Sequence, residues 1–130
     1  MTYNIVIIDD DREMCEEIKD ILADEGYAVC AAYDGMQGLA LVEKCDCDIL
    51  LLDLKMPGLD GATVLKRLKE KDTRPRVVVL TARLTESESP EEIIADEEVA
   101  SLVDRVITKP FRIPELLMAI RQTIDRKESS

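Results

Sequence analysis

Residues 5–11 read IVIIDDD, in which four β-branched apolar residues are followed directly by three aspartates. An unbroken apolar run of this length is typical of a strand that is buried on both faces of a parallel sheet. Two later stretches repeat the pattern, ILLLD at residues 49–53 and VVVLT at residues 77–81. The sequence therefore predicts three central strands, each with a polar residue at its carboxyl end.

Amphipathic stretches separate these runs. Tyr27 to Ala32 and Val103 to Thr108 predict two shorter strands, and an acidic segment from Glu86 to Glu98 lies between the fourth strand and the fifth. Apolar residues at helical spacing predict helices between the strands. They fall in five groups: Met14, Ile18, Ile21 and Leu22; Met36, Leu39, Ala40 and Val42; Val64, Leu65 and Leu68; Ile93, Ile94, Val99 and Leu102; and Ile113, Leu116, Leu117, Ile120 and Ile124.

The alternation of five strands with five helices indicates the α/β class, with a doubly wound five-stranded parallel sheet and helices on both faces. Right-handed crossovers favour the strand order 2-1-3-4-5. In that order strands 1 and 3 are neighbours, and ligands of such folds bind beyond their carboxyl ends. We expect one domain over residues 1–130, with a core from about residue 3 to about residue 126 and a short polar C-terminal tail.

The composition excludes several classes of function. The chain has 130 residues, of which 46% are hydrophobic, as expected of one globular domain. Asp and Glu number 28 against 17 Lys and Arg, and a formal charge of -11 argues against direct binding of nucleic acid or of an anionic membrane. No apolar run approaches the roughly 20 residues of a membrane span, and no signal peptide opens the chain. The absence of His excludes histidine acid–base catalysis and His metal ligands.

The four cysteines, Cys15, Cys30, Cys45 and Cys47, form no C-x-x-C pair. A single residue separates Cys45 from Cys47, which is too tight for an ordinary disulfide or a standard zinc knuckle. We therefore expect reduced thiols in a cytosolic protein.

Polar residues that suit phosphoryl chemistry follow the predicted strands: Asp9, Asp10 and Asp11 after strand 1, Asp53 after strand 3, Thr81 after strand 4 and Lys109 after strand 5. Any one of them alone would be a solvated loop residue or a helix cap, and we expect Asp11 to be a cap of the first helix or an outer-shell charge. Together on one sheet edge, clustered carboxylates repel one another unless a cation such as Mg²⁺ relieves the repulsion. With Mg²⁺, an ammonium and a hydroxyl to orient phosphoryl oxygens, a carboxylate can attack phosphorus.

The chain resembles the response-regulator receiver domain of two-component signalling. Four motifs carry the resemblance: IVIIDDD at 5–11, DILLLDLKMPGLDG at 48–61, VVVLTA at 77–82 and KPF at 109–111. It covers nearly the whole chain, and the four motifs together are highly specific.

The resemblance implies roles for individual residues. Asp53 would be the phosphoacceptor, with Thr81 as the hydroxyl and Lys109 as the ammonium that meet the phosphoryl group. Mg²⁺ would be held by Asp10 directly, by Asp9 through water, by Asp53 and by the backbone carbonyl of Lys55. The family also predicts a cis peptide bond between Lys109 and Pro110.

Two features depart from the family. Val106 stands where receivers usually carry Tyr or Phe three residues before the motif Lys, so the aromatic part of their switch is missing. The segment between Thr81 and Lys109 is longer than usual. Its acidic part, Glu86–Glu98, predicts either a solvated helix or an altered output face for a basic partner.

The resemblance also implies the partners. The phosphoryl donor would be a phosphohistidine on a sensor histidine kinase or phosphotransfer protein, since this chain has no His. We expect a downstream output protein or domain, no direct nucleic-acid or membrane partner, and a cytoplasmic location. The family allows a homodimer through the face of helix 4, strand 5 and helix 5. We expect no enzymatic activity beyond self-phosphorylation and autodephosphorylation.

Three alternatives stay open at this stage. Asp9-x-Asp11 after an apolar strand also matches haloacid-dehalogenase-like phosphatases with an Asp nucleophile, but their small residue near the position of Glu13 and their late acidic pair are missing. A flavodoxin-like FMN carrier would need a hydroxyl- and Gly-rich loop where this chain has three Asp. A pseudo-receiver that is never phosphorylated is disfavoured, because the family's site residues are all present.

Overall fold

The computed structural model describes residues 2–56, 58–71, 75–82, 94 and 96–129. All five strands are parallel and lie in the order β2-β1-β3-β4-β5. Five helices alternate with them in the described part of the chain, so the predicted class and strand order are confirmed. The elements are β1 (Asn4–Ile8), α1 (Arg12–Asp24), β2 (Ala28–Ala32), α2 (Gly35–Lys44), β3 (Ile49–Asp53), α3 (Gly61–Glu70), β4 (Arg76–Ala82), α4 (Glu97–Ser101), β5 (Arg105–Lys109) and α5 (Ile113–Ser129).

The sheet is covered on both faces, which is why its central strands are apolar throughout. Ile5 and Ile7 of β1 belong to the core layer that α1 and α5 complete, whereas Val6 and Ile8 belong to the layer that α2 and α3 complete. All four side chains are fully buried. A Cβ atom on Gly38 would lie 2.3 Å from Cδ1 of Ile8, so only glycine allows α2 to approach β1 this closely.

Aspartates begin the helices. The carboxylate of Asp11 accepts a hydrogen bond from the backbone N–H of Met14 at 3.0 Å, which confirms the predicted cap of α1. Asp34, Asp60 and Asp96 cap α2, α3 and α4 in the same way. After α1, Gly26 adopts a φ of 95°, a conformation that favours glycine. No helix among the described residues is long and apolar enough to cross a membrane.

The fifth strand begins two residues later than predicted. Val103 donates its backbone N–H to the carbonyl of Ala100 at 3.2 Å and so belongs to the turn after α4. The Asp104 carboxylate accepts the N–H of Val77 at 2.7 Å, and the ladder starts only at Arg105. Of the acidic segment Glu86–Glu98, the structure describes only Ile94 and residues 96–98, and the rest of that prediction lies outside the described residues.

Candidate functional site

The carboxyl ends of β1 and β3 bring three carboxylates together. Asp9 directly follows β1, and Asp53 is the last residue of β3. The register pairs Ile8 with Leu52, so the two strand ends are adjacent. Carboxylate oxygens of Asp9, Asp10 and Asp53 all lie within 4.8 Å of one another. Asp9 and Asp53 are buried and Asp10 is exposed to solvent. These three residues are named the acidic cluster below.

Backbone and thiol contacts hold Asp9 in place. Its N–H donates to the carbonyl of Ala32 at 3.1 Å, and its Oδ1 accepts the N–H of Asp11 at 3.0 Å. The Sγ of Cys15 donates to the backbone carbonyl of Asp9 at 3.4 Å. Asp9 is thereby tied to β2 and α1 as well as to its own strand.

Asp53 is positioned by the loop that follows it. Its Oδ1 accepts the N–H of Lys55 at 3.0 Å. A Cβ atom on Gly61 would lie 2.6 Å from the backbone carbonyl oxygen of Asp53, so glycine allows the start of α3 to close on this strand end. The side chain of Lys55 is exposed. The role of the Lys55 carbonyl as a metal ligand stays a prediction.

Lys109 joins the cluster from the end of β5. Its Nζ lies 2.6 Å from Oδ2 of Asp9 and 3.5 Å from Oδ2 of Asp53. The peptide bond that follows it, to Pro110, is cis as the family resemblance predicted. The structure therefore places the predicted ammonium beside two of the three carboxylates.

The electrostatics of the cluster favour an added cation. Burial raises the pKa of the Asp53 carboxyl above its ordinary value of 3.8, and the Asp9 charge adds to the rise, while the Lys55 N–H and Lys109 offset part of it. Burial alone would lower the pKa of Lys109, but the hydrogen bond and charge of Asp9 and the charge of Asp53 raise it above 10.5. Lys109 is thus an ammonium at neutral pH, and ionised Asp53 is only partly compensated.

Thr81 lies on the same edge of the sheet. It follows Leu80, the register partner of Asp53, and its own partner in β5 is Thr108. The side chain is fully buried, and its Oγ1 has no hydrogen-bond partner among the residues that the structure describes. An unpaired buried hydroxyl is costly in a folded protein, so it is a group available to a ligand.

Oxygen donors with this geometry suit a small hard cation. Mg²⁺ binds one or two protein carboxylates and keeps several waters or phosphate oxygens. The exposed Asp10 beside two buried carboxylates supplies such a donor set. A divalent cation there would also offset the charge of Asp9, which adds to the rise that burial causes in the pKa of Asp53.

Cys15 and Gly61 help to position the cluster, but the sequence analysis gives neither of them a role at the site. The buried positions of α1 are Cys15, Ile18 and Leu22, so Cys15 takes the inward place that the predicted pattern gave to Met14. Gly61 follows the capping Asp60, and an Asp-Gly pair at a helix start was the available signal.

Comparison with known proteins identifies the family. The response regulator receiver domain model matches residues 5–121. Over 126 residues the chain is 34% identical to response regulator MprA of Mycobacterium bovis, covering 97% of this chain and 52% of that protein. It is 37% identical over 126 residues to transcriptional regulatory protein CpxR of Klebsiella pneumoniae subsp. pneumoniae, with 97% and 51% covered. The chain spans about half the length of the curated relatives it matches.

A solved structure supports the same family. The receiver domain of the Francisella response regulator 1452 superposes with a TM-score of 0.80 at 28% identity, covering 96% of this chain and 98% of that one. The matches do not support the haloacid-dehalogenase-like alternative, because both the sequence relatives and the fold are those of receivers. The chain belongs to the response regulator receiver domain family, regulatory domains that are phosphorylated on an aspartate in two-component signalling.

Proposed function

We propose that Asp53 accepts a phosphoryl group from a phosphohistidine of a sensor histidine kinase or phosphotransfer protein. The observation that carries the proposal is how the two buried carboxylates of the acidic cluster differ in their partners. Asp9 has one oxygen bound by Lys109 at 2.6 Å and the other by the N–H of Asp11. Asp53 has one oxygen bound by the N–H of Lys55, while its Oδ2 is held by Lys109 only at 3.5 Å. That Oδ2 is the buried carboxylate oxygen with the weaker restraint.

In the transfer step, an oxygen of Asp53 attacks phosphorus, and the bond from phosphorus to the imidazole nitrogen breaks. The imidazole leaves with the electron pair of that bond. Asp9, Asp10, Asp53 and the carbonyl of Lys55 would hold Mg²⁺, which when bound neutralises charge on the phosphoryl oxygens.

Two further groups meet the phosphoryl oxygens in this proposal. The ammonium of Lys109 donates to one oxygen, and the buried hydroxyl of Thr81, which lacks a partner in the described part of the chain, donates to another. The switch returns to its initial state when water attacks phosphorus and the bond to Asp53 breaks, which releases inorganic phosphate.

Intact mass spectrometry tests the assignment. The protein is incubated with MgCl₂ and acetyl phosphate, and we expect the mass increase of one phosphoryl group. Asp53→Asn should abolish that increase. Asp11→Asn is the matched control: Asp11 lies outside the cluster and Asn caps a helix as well as Asp does, so it should label normally. Labelling of the Asp53→Asn variant would contradict the assignment of Asp53 as the acceptor. An unlabelled parent protein would favour the pseudo-receiver alternative.

We further propose that signalling uses the face of α4, β5 and α5, with a second copy of the chain as the partner that phosphorylation recruits. Met118 of α5 is 62% exposed and lines a surface depression together with Val106 of β5, which is half-buried. Beryllofluoride, a phosphoryl mimic, should then shift the protein to a dimer in light scattering. Met118→Glu should block the shift, whereas Met36→Glu, at the 63% exposed Met36 of α2, should leave it unchanged. A monomer throughout would contradict a second copy of the chain as the partner.

The free thiols suggest the cellular compartment of the protein. All four cysteines are free, and three of them are partly exposed. We propose a cytoplasmic location, where thiols are kept reduced.

A further inference from the structure

Two cysteines meet on the side of the sheet that α2 covers. Cys30 lies in β2, opposite Val6 of β1, and Cys45 follows the last residue of α2 as its C-cap. Their Sγ atoms are 3.4 Å apart although the residues are 15 positions apart in sequence. Both side chains are half-buried, so small solutes can reach them.

The other two cysteines have different surroundings. Cys15 is fully buried and donates to the carbonyl of Asp9, and burial raises its pKa to about 12. Cys47 donates to the carbonyl of Ile49 at 3.0 Å, and burial raises its pKa to about 12 as well. Because the thiolate is the reactive form, these two thiols are inert at neutral pH.

We propose that Cys30 and Cys45 form a redox-active dithiol site that reacts with low-molecular-weight disulfides to give a reversible intrachain disulfide. A disulfide needs its sulfur atoms about 2.05 Å apart, so the two Sγ atoms must approach by a little over 1 Å. The positions favour that movement, because β2 is an edge strand and Cys45 lies at a helix end. The next residue, Asp46, already turns the chain with a φ of 51°.

The reaction runs in two exchange steps. The Cys30 thiolate attacks one sulfur of the small disulfide, which gives a mixed disulfide and releases one small thiolate. Cys45 then loses its proton and attacks the Cys30 sulfur, which forms the intrachain bond and releases the second small thiolate. Two thiol protons pass to solvent or to the released thiolates, two electrons pass to the small disulfide, and the small disulfide becomes two thiols.

The order of attack follows from the contact between the two sulfurs. The hydrogen bond with Cys30 and partial burial raise the pKa of Cys45, so Cys45 keeps its proton longer than an ordinary thiol. Cys30 is therefore assigned as the first nucleophile. We expect the second exchange step to accelerate as the pH rises, because the raised pKa of Cys45 limits its thiolate at neutral pH.

Oxidised glutathione is the probe for the test, applied to the whole chain at pH 8.5. We expect a mass loss of two hydrogens that a reducing agent reverses. Trypsin cuts after Lys44, so the bridge should join the peptide of residues 20–44 to that of residues 45–55. The two cysteines are 15 positions apart, and a bridge between them restricts the unfolded chain. The melting temperature should therefore rise by about 5–10 °C.

Variants locate the bridge. Cys30→Ser and Cys45→Ser should each abolish the mass loss and the rise in melting temperature. Cys47→Ser is the matched control, since Cys47 lies in the same tryptic peptide as Cys45, and it should keep both effects. The proposal is overturned by a stable glutathione adduct that never closes, by a bridge that needs Cys47, by covalent dimers, or by a bridge that lowers the melting temperature.

Discussion

Lys109 holds Asp9 more closely than it holds Asp53, with Nζ–Oδ2 distances of 2.6 Å and 3.5 Å. The Asp9 side chain is 1% exposed, so the ammonium compensates a carboxylate that water scarcely reaches. Asp53 keeps an oxygen that is only weakly restrained. In the proposed mechanism this asymmetry leaves Asp53 as the nucleophile and keeps Lys109 within a short movement of the phosphoryl oxygens.

Lys109→Gln should therefore strongly destabilise the metal-free protein. The substitution leaves Asp9 buried without its cation, and breaking a buried ion pair in this way costs about 3–5 kcal/mol. Urea unfolding in EDTA measures the change. Because the pKa of Lys109 is raised, its contribution is complete below pH 10.5 and is lost as the pH rises past the folded-state pKa.

The matched control for that experiment is Lys71→Gln. Lys71 pairs with Glu43 at 2.8 Å, but both side chains are exposed, at 53% and 43%. Such surface pairs contribute little to stability. Equal loss of unfolding free energy in Lys71→Gln and Lys109→Gln would contradict the assigned role of the Lys109–Asp9 pair.

Asp53→Asn should stabilise the metal-free protein at neutral pH. The unfolded carboxyl titrates near 3.8 and the folded one at a higher pH. Between these values the folded state binds more protons, so stability falls as the pH rises through that window. The variant has no carboxyl at this position and so does not lose this stability. The loss in the free energy of unfolding amounts to about 1.4 kcal/mol for each unit by which the pKa of Asp53 is raised. Thermal unfolding in EDTA should show the variant more stable at pH 7 and the difference closing below pH 3.8. A stability difference that does not change with pH would contradict the burial of a charged Asp53 as its cause.

Periodicity of the sequence was enough to predict the sheet, because strands buried on both faces must be apolar throughout. It was not enough to find the start of β5. Val103 is as apolar as a strand residue, but its N–H donates to the carbonyl of Ala100 in the turn after α4. The meeting of Lys109 with the cluster followed from strand order, yet its preference for Asp9 depends on an ångström of side-chain placement. The contact between Cys30 and Cys45 depends on where an edge strand and a helix end meet, which no local pattern reports.

Asp10→Asn should remove most of the response of stability to Mg²⁺. Asp10 is the exposed member of the acidic cluster and has a carboxylate oxygen within 4.8 Å of oxygens of the other two. A cation that binds only the folded state stabilises it by mass action, by about 2.7 kcal/mol at a concentration 100 times the dissociation constant. Thermal unfolding at increasing MgCl₂ should therefore raise the melting temperature of the parent and barely change that of the variant. Asp11→Asn serves as control, and a parent insensitive to millimolar MgCl₂ would rule out the metal site.

Thr81→Val and Thr123→Val should change stability in opposite directions. Both threonines are buried, but Oγ1 of Thr123 donates to the carbonyl of Ala119 at 2.7 Å, whereas Oγ1 of Thr81 has no partner within the described residues. Removing an unpaired buried hydroxyl should stabilise by about 1 kcal/mol, and removing a bonded one should cost about as much. Urea unfolding measures both.

The same pair of variants separates stability from signalling. If the Thr81 hydroxyl binds the phosphoryl group, Thr81→Val should lose the amide shifts that beryllofluoride causes in α4, although the variant is more stable. Thr81→Ser keeps the hydroxyl and should restore them, and Thr123→Val should keep them despite its lower stability. A ligand can shift a conformation only through contacts that differ between the two states, and an unpaired hydroxyl beside the acceptor supplies such a contact. Unchanged shifts in Thr81→Val would remove this residue from the switch.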